Sequence, residues 1–172
     1  TGLTKVYYNG SEADWIEIDL DIGNSRLLNA NIIFRPALEA DDAGYTVSDG
    51  LVTGVSAGTT VSDLLASFAN MDSTPKVLSA NGTEIAETDL VGTGAFIQVS
   101  DSEGTAYERA TVIVNGDCTG DGLTDSTDVV TIKNTIKTGS ALDNCYIKAV
   151  DSDDNKVLST LDYVKLKLTL KQ

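Results

Sequence analysis

The chain has 172 residues and a formal net charge of −14, with 26 acidic against 12 basic side chains, 41% hydrophobic residues and two prolines. That composition fits a folded protein rather than a disordered one. The acidity argues against a nucleic-acid partner, which needs a basic surface, and no apolar run approaches the roughly 18 residues of a membrane span. The chain contains no histidine, which excludes Ser-His-Asp and Cys-His catalysis and His-ligated zinc. Carboxylate chemistry is the main enzymatic route left.

Residues 1–44 open with TGLTKVYYNG, which is not a signal peptide, so the export route is not legible from it. Ser11 offers an N-cap with Asp14 three residues later, which predicts a short helical turn. Ile16, Ile18, Leu20 and Ile22 then alternate with Glu17, Asp19 and Asp21, a period of two that predicts a half-buried strand. LNANIIF predicts another strand. The alternating carboxylates invite a glycosidase reading, but their spacing suits a solvated strand face better. Tyr7, Tyr8 and Trp15 would suit sugar stacking, although aromatics are only 6% of the chain and cores need them. The run VYYNGSEADW followed by Ile16 resembles the closing unit of bacterial surface leucine-rich-repeat proteins of the BspA type. The resemblance implies that residues 1–44 end an upstream module of a longer protein.

Residues 45–114 read as one small, Ig-like, mostly-β module holding one helix. Thr59 or Thr60 caps a helix whose apolar face is Val61, Leu64, Leu65 and Phe68. PKVLSANGTEIAE predicts a hairpin turning at Asn81-Gly82. GAFIQVSDSEGTAYERATVIV predicts a second, with Ser102-Glu103-Gly104 at its tip and Val112, Ile113 and Val114 in the return strand. The run from GVSAGTTVSDLL through VGTG to TVIVNGD resembles the X modules that precede dockerins.

Residues 115–172 hold nine Asp and seven Lys, a net −2, against −12 for residues 1–114. That asymmetry suggests separate surfaces and separate modules. The segment is an internal repeat with a period of 34. Asp117 aligns with Asp151, Asp121 with Asn155, Leu123 with Val157 and Asp128 with Asp162; the match continues through Ile132/Leu166 and Lys137/Lys171. Each copy is too short to bury a core alone, so the two are expected to pack together.

Each copy fits a calcium loop, which takes oxygen from positions 1, 3, 5, 7, 9 and 12, with position 7 acting through its carbonyl and Gly at position 6. Copy one supplies Asp117, Thr119, Asp121, Leu123, Asp125 and Asp128, with Gly122 at the turn. Copy two supplies Asp151, Asp153, Asn155, Val157, Ser159 and Asp162. Thr119 replaces the usual Asp or Asn, Asp rather than Glu ends both loops, and Lys156 stands at the turn of copy two. Lys156 is therefore expected at φ > 0, at a cost on the order of 1–2 kcal/mol. The competing reading is an acidic turn that caps each helix through Asp128 or Asp162. Because residues 111–115 read as a strand entering loop one, the unit is expected to be a loop with an exiting helix only.

The match GDCTGDGLTDSTDVVTIKNTI, followed by AVDSDDNKVLSTLDYVKLKLTL, resembles a dockerin over residues 116–172. The resemblance implies a small all-α module that holds two calcium ions. It implies docking on a cohesin of a scaffoldin or cell-surface protein, outside the cell, in a cellulosome-like assembly for polysaccharide degradation. Recognition would fall at Ser126, Thr127, Lys133, Asn134 and Thr138 in copy one and at Thr160, Leu161, Lys167, Leu168 and Gln172 in copy two. The copies differ at these positions, so one binding orientation is expected. Lys133, Lys137, Lys165, Lys167 and Lys171 either solvate helix faces or steer an acidic partner. An even pair of cysteines in an exported module favours a Cys118–Cys145 disulfide, closing about 28 residues and stabilising by roughly 3 kcal/mol; two unrelated thiols are the alternative.

The expected whole is a multidomain α+β chain divided at 1–44, 45–114 and 115–172. It is non-enzymatic and monomeric before docking. Metal removal should melt residues 115–172 and leave residues 45–114 with their β signature. The alternative is a calcium-stabilised extracellular adhesion or carbohydrate-binding protein.

Overall fold

The computed structural model describes residues 2–40, 44–68 and 75–171. Strand β1 (Lys5–Tyr8) leads into α1 (Glu12–Ile16), a 3-10 turn (Ile22–Asn24), α2 (Ser25–Leu28) and β2 (Asn31–Phe34). β1 and β2 pair in parallel as a two-stranded sheet, which the intervening helices make possible, because parallel neighbours need a crossover. Ser11 caps α1 in a full capping box with Asp14. The strand expected over residues 16–22 does not form. Ile16 ends α1 and is 72% exposed, and Ile18 is also exposed. The apolar alternation is real, but no neighbouring strand pairs with it. The Ile22 side chain lies outside the described part.

β3 (Thr46–Ser48), β4 (Leu51–Val55), α3 (Val61–Ala66), β5 (Lys76–Leu78), β6 (Phe96–Ser100) and β7 (Ala106–Val114) follow. The five strands form one mixed sheet in the order β3-β4-β7-β6-β5, with β4 parallel to β7 and the other pairs antiparallel. The β6–β7 hairpin forms as expected. At Asn81-Gly82 the chain turns with Gly82 at φ 84°, but the returning arm pairs only through a Leu78–Glu84 bridge. Among the described residues this is a single mixed sheet, not the two packed sheets of an Ig sandwich. Thr60 caps α3, and Val61, Leu64 and Phe68 join Val52, Val55, Ile97, Val99, Val112 and Val114 in one core.

Beyond β7 come α4 (Ser126–Thr138), α5 (Asn144–Val150) and α6 (Thr160–Thr169). A second core gathers Ile132 of α4, Ala149 and Val150 of α5, Leu166 of α6, Cys118 and Ile113. Ile113 belongs to β7, whose neighbours Val112 and Val114 face the first core, as alternation along a strand requires. The helices thus cover the second face of the sheet at Ile113 and Leu51, while Arg109 on that face of β7 stays exposed. The chain is mixed α/β, and no described helix is long and apolar enough to cross a membrane.

The N-terminal segment is tied to the sheet by Arg35 to Asp101 at 2.8 Å, Lys5 to Glu103 at 2.8 Å, and the Tyr107 hydroxyl donating to the Pro36 carbonyl at 2.9 Å. Trp15 meets Tyr8 edge-on, with ring centres 5.1 Å apart and planes at 68°, while Arg35 covers the Tyr7 ring at 3.9 Å. The three rings therefore do not share one flat platform. Ile97→Ala should destabilise the fold by about 2–5 kcal/mol and Ile16→Ala by less than about 0.5 kcal/mol in urea unfolding; comparable losses would contradict the observed burial.

Candidate metal centre

The two loops, residues 117–128 and 151–162, share one hydrogen-bond skeleton at the repeat offset. The position-6 N–H donates to the position-1 carboxylate: Gly122 to Asp117 at 3.0 Å, Lys156 to Asp151 at 2.6 Å. Position 7 donates to the side chain of position 5, Leu123 to Asp121 at 2.9 Å and Val157 to Asn155 at 2.7 Å. Position 11 donates to position 9, Thr127 to Asp125 and Leu161 to Ser159. The position-12 carboxylate accepts from positions 2 and 9: Asp128 from Cys118 and Asp125, Asp162 from Ser152 and Ser159, each at 2.9 Å. The last of these bonds closes capping boxes on α4 and α6.

Asp117, Asp128 and Asp162 are wholly buried. The exposed side chains of Leu123 and Val157 suit a position that would offer only its carbonyl. Lys156 has φ 64° and Asp154 φ 57°, so the expected left-handed residue stands at the turn of loop two. In that loop, carboxylate oxygens of Asp151, Asp153 and Asp162 lie within 4.8 Å of one another. No cation pairs with any of the three among the described residues; the nearby Lys148 pairs with Asp154. In loop one, Thr119 Oγ1 lies 3.3 Å from Asp117 Oδ1 and 3.1 Å from Asp128 Oδ1. Positions 1, 3 and 12 therefore bring oxygens together in both copies. Hard oxygen donors with an excess of negative charge fit a calcium-type cation.

Burial alone would raise the Asp162 carboxyl, but the N–H and hydroxyl groups of Ser152 and Ser159 hold it down at about 2. Burial, then the Asp128 charge, pushes the Cys118 thiol up to about 12, and burial also raises Cys145. Both cysteines are free thiols, so the expected disulfide is absent. Cys118 instead packs as an apolar side chain and donates to the Asp128 carbonyl at 3.5 Å.

Loop two is entered by α5, so it sits between two helices and corrects the expectation of a loop with an exiting helix only. Asp143 at the N-cap and Tyr146, Ile147 and Val150 at helical spacing would have revealed α5 in the sequence. Thr93, which donates its N–H to Asp117 Oδ2 at 2.9 Å, left no such signal. The candidate recognition residues Ser126, Thr127, Lys133, Asn134, Thr138, Thr160, Leu161, Lys167 and Leu168 are all exposed on α4 and α6; Gln172 lies outside the described residues. Comparison with protein-family models, curated proteins and solved structures gives no match.

Two outcomes follow from this geometry. With a folded pKa of about 2 against an ordinary 3.8, Asp162 stabilises the fold above about pH 4 and loses that contribution as pH falls towards 2. In chelator, Asp162→Asn should therefore lower stability at neutral pH and flatten the stability profile over that acidic window; an unchanged profile would refute the assignment. In alkylation at pH 8 without reductant, the unfolded chain should take up two equivalents and the folded chain should keep Cys118 unmodified. A denatured chain that resists at both cysteines would instead contain the disulfide.

Proposed function

We propose that residues 115–172 act as a dockerin, a small all-α, non-catalytic anchoring module. It would hold calcium at Asp117, Thr119, Asp121, Leu123, Asp125 and Asp128, and again at Asp151, Asp153, Asn155, Val157, Ser159 and Asp162. A bound calcium ion would supply the positive charge these clustered oxygens lack. The loop residues then fix the start of α4 and of α6 through their capping boxes and present the outer faces of those helices to a partner. The partner is a cohesin module on a scaffoldin or cell-surface protein, met outside the cell. Residues 45–114 would be the accompanying X module and residues 1–44 the end of an upstream module.

The observation that carries this reading is the hydrogen-bond skeleton repeated in both loops, with oxygens from positions 1, 3 and 12 converging in each. The helix faces add a second support. On α6, Leu161, Val164 and Leu168 form an exposed apolar stripe, 45%, 47% and 55% exposed. The matching α4 positions are Thr127, Val130 and Asn134, a more polar face. Exposed apolar anchors of this kind mark interfaces, and the difference between the helices favours one binding orientation.

Calorimetric titration with a panel of cohesins, in calcium and in chelator, tests the reading. Tight, calcium-dependent 1:1 binding is expected, with Leu168→Ala weakening it by about tenfold or more and Asn134→Ala by less. Equal, small losses would contradict a single orientation. Silence across the panel with calcium still bound would replace docking by the adhesion reading.

A further inference from the structure

We infer that residues 91–94 of the sheet module are a working part of loop one, so that cation binding there and folding of the five-stranded sheet stabilise each other, while loop two binds without that help. The inference rests on the calcium reading above. Asp117, at position 1, accepts N–H groups from its own loop and from Thr93, both on Oδ2. The Thr93 hydroxyl also accepts from the Val114 N–H at 3.0 Å and lies 3.3 Å from the Val114 carbonyl oxygen. One buried residue thus holds the end of β7 and the first ligand of the loop. Gly58 donates to the Gly122 carbonyl at 2.9 Å, and Val91 donates to Thr59 at 3.0 Å, so the loop, residues 58–59 and residues 91–93 form one bonded layer.

Gly92 shows how close this layer is. Its φ is not positive, so backbone conformation does not demand glycine there. A Cβ at Gly92 would lie 2.5 Å from the Gly120 carbonyl carbon and collide with the Gly120 oxygen, and one at Gly122 would lie 2.7 Å from the Val91 oxygen. Only a residue without a side chain lets residues 91–94 touch the loop. Tyr146 of α5 closes the same contact, since a Cβ at Gly94 would meet its hydroxyl at 3.0 Å.

Among the described residues loop two receives no hydrogen bond from the sheet module. The side chains that donate to it from outside are lysines of the flanking helices, Lys148 to Asp154 and Lys165 to the Ser152 carbonyl. The donors to Asp151 are Asn155 and Lys156, and those to Asp162 are Ser152 and Ser159, all within the loop. A loop already held in place loses less freedom when it binds, so loop one should be the tighter site. Coupling is reciprocal, so its cation should stabilise the sheet. The β signature of residues 45–114 would persist without metal, but at lower stability.

Hydrogen exchange of the whole chain with Ca2+ or with chelator, joined to calorimetric Ca2+ titration, tests this. Ca2+ should slow exchange at residues 58–59, 91–94 and along β7 by about tenfold or more, in the unaltered chain and in Asp151→Asn. Gly92→Ala should weaken one of two Ca2+ sites by about tenfold or more and remove that slowing. Two bound Ca2+ ions with slowing confined to residues 115–171 would overturn the coupling alone. Gly92→Ala that weakens neither site, or both equally, would overturn it too. An unaltered chain that binds no Ca2+ would overturn the calcium reading and this inference with it.

Discussion

The end of strand β7, Val112 to Val114, is apolar on both faces, and the sheet core and the three C-terminal helices cover it from opposite sides. Val112 and Val114 are fully buried towards α3, and Ile113 is buried towards α4, α5 and α6. A strand covered on one side only would leave Ile113 in water; each such side chain is worth roughly 1.5–3 kcal/mol when buried. The helices that follow supply that cover, and in doing so they fix where the chain leaves the sheet. Asp117 comes three residues after Val114, so the first loop position is set by the strand and not by the loop alone.

That constraint explains which features were legible in the sequence. Elements with their own local code appear as read: the Ser11–Asp14 box, Thr60 before α3, the β6–β7 hairpin, and the two copies with Ile132 and Leu166 in one core. Ile16 to Ile22 carried a strand period with no partner strand beside it, and pairing rather than alternation makes a strand. The Thr93–Asp117 bond spans 24 residues and uses a backbone N–H, which every residue but proline possesses. No residue type could announce it. The disulfide failed for a related reason: an even pair of cysteines says nothing about where each sulfur points, and Cys118 is committed to the core and to the Asp128 carbonyl.

The same bonds separate the two loops, although their sequences align. Position 12 is wholly buried in both loops, but at position 1 Asp117 is wholly buried and Asp151 only half-buried, and at position 6 Gly122 is buried and Lys156 exposed. Loop two also holds Asp154 and Lys156 at positive φ, a strain on the order of 1–2 kcal/mol for each such residue. Loop one places Gly120 and Gly122 at its positive-φ positions and avoids it. Identical ligand positions therefore sit on unequal supports.

Helix capping accounts for part of the acidic character and fails at an informative place. Asp128 and Asp162 complete capping boxes, and a carboxylate at a helix N-terminus is favourable on its own. Position 1 is remote from that role, yet Asp117 is buried and Asp151 converges on Asp162. Asp153 is harder still to explain as a cap. It accepts no hydrogen bond and pairs with no cation among the described residues, yet it stands with two other carboxylates inside 4.8 Å. Like charges about 4 Å apart repel by about 1 kcal/mol in water and about 4 kcal/mol near a protein surface. A capping motif has no use for that repulsion, since one carboxylate suffices. A site for a hard cation requires the same three oxygens, and this is why the cation reading accounts for more of the loop than the cap does.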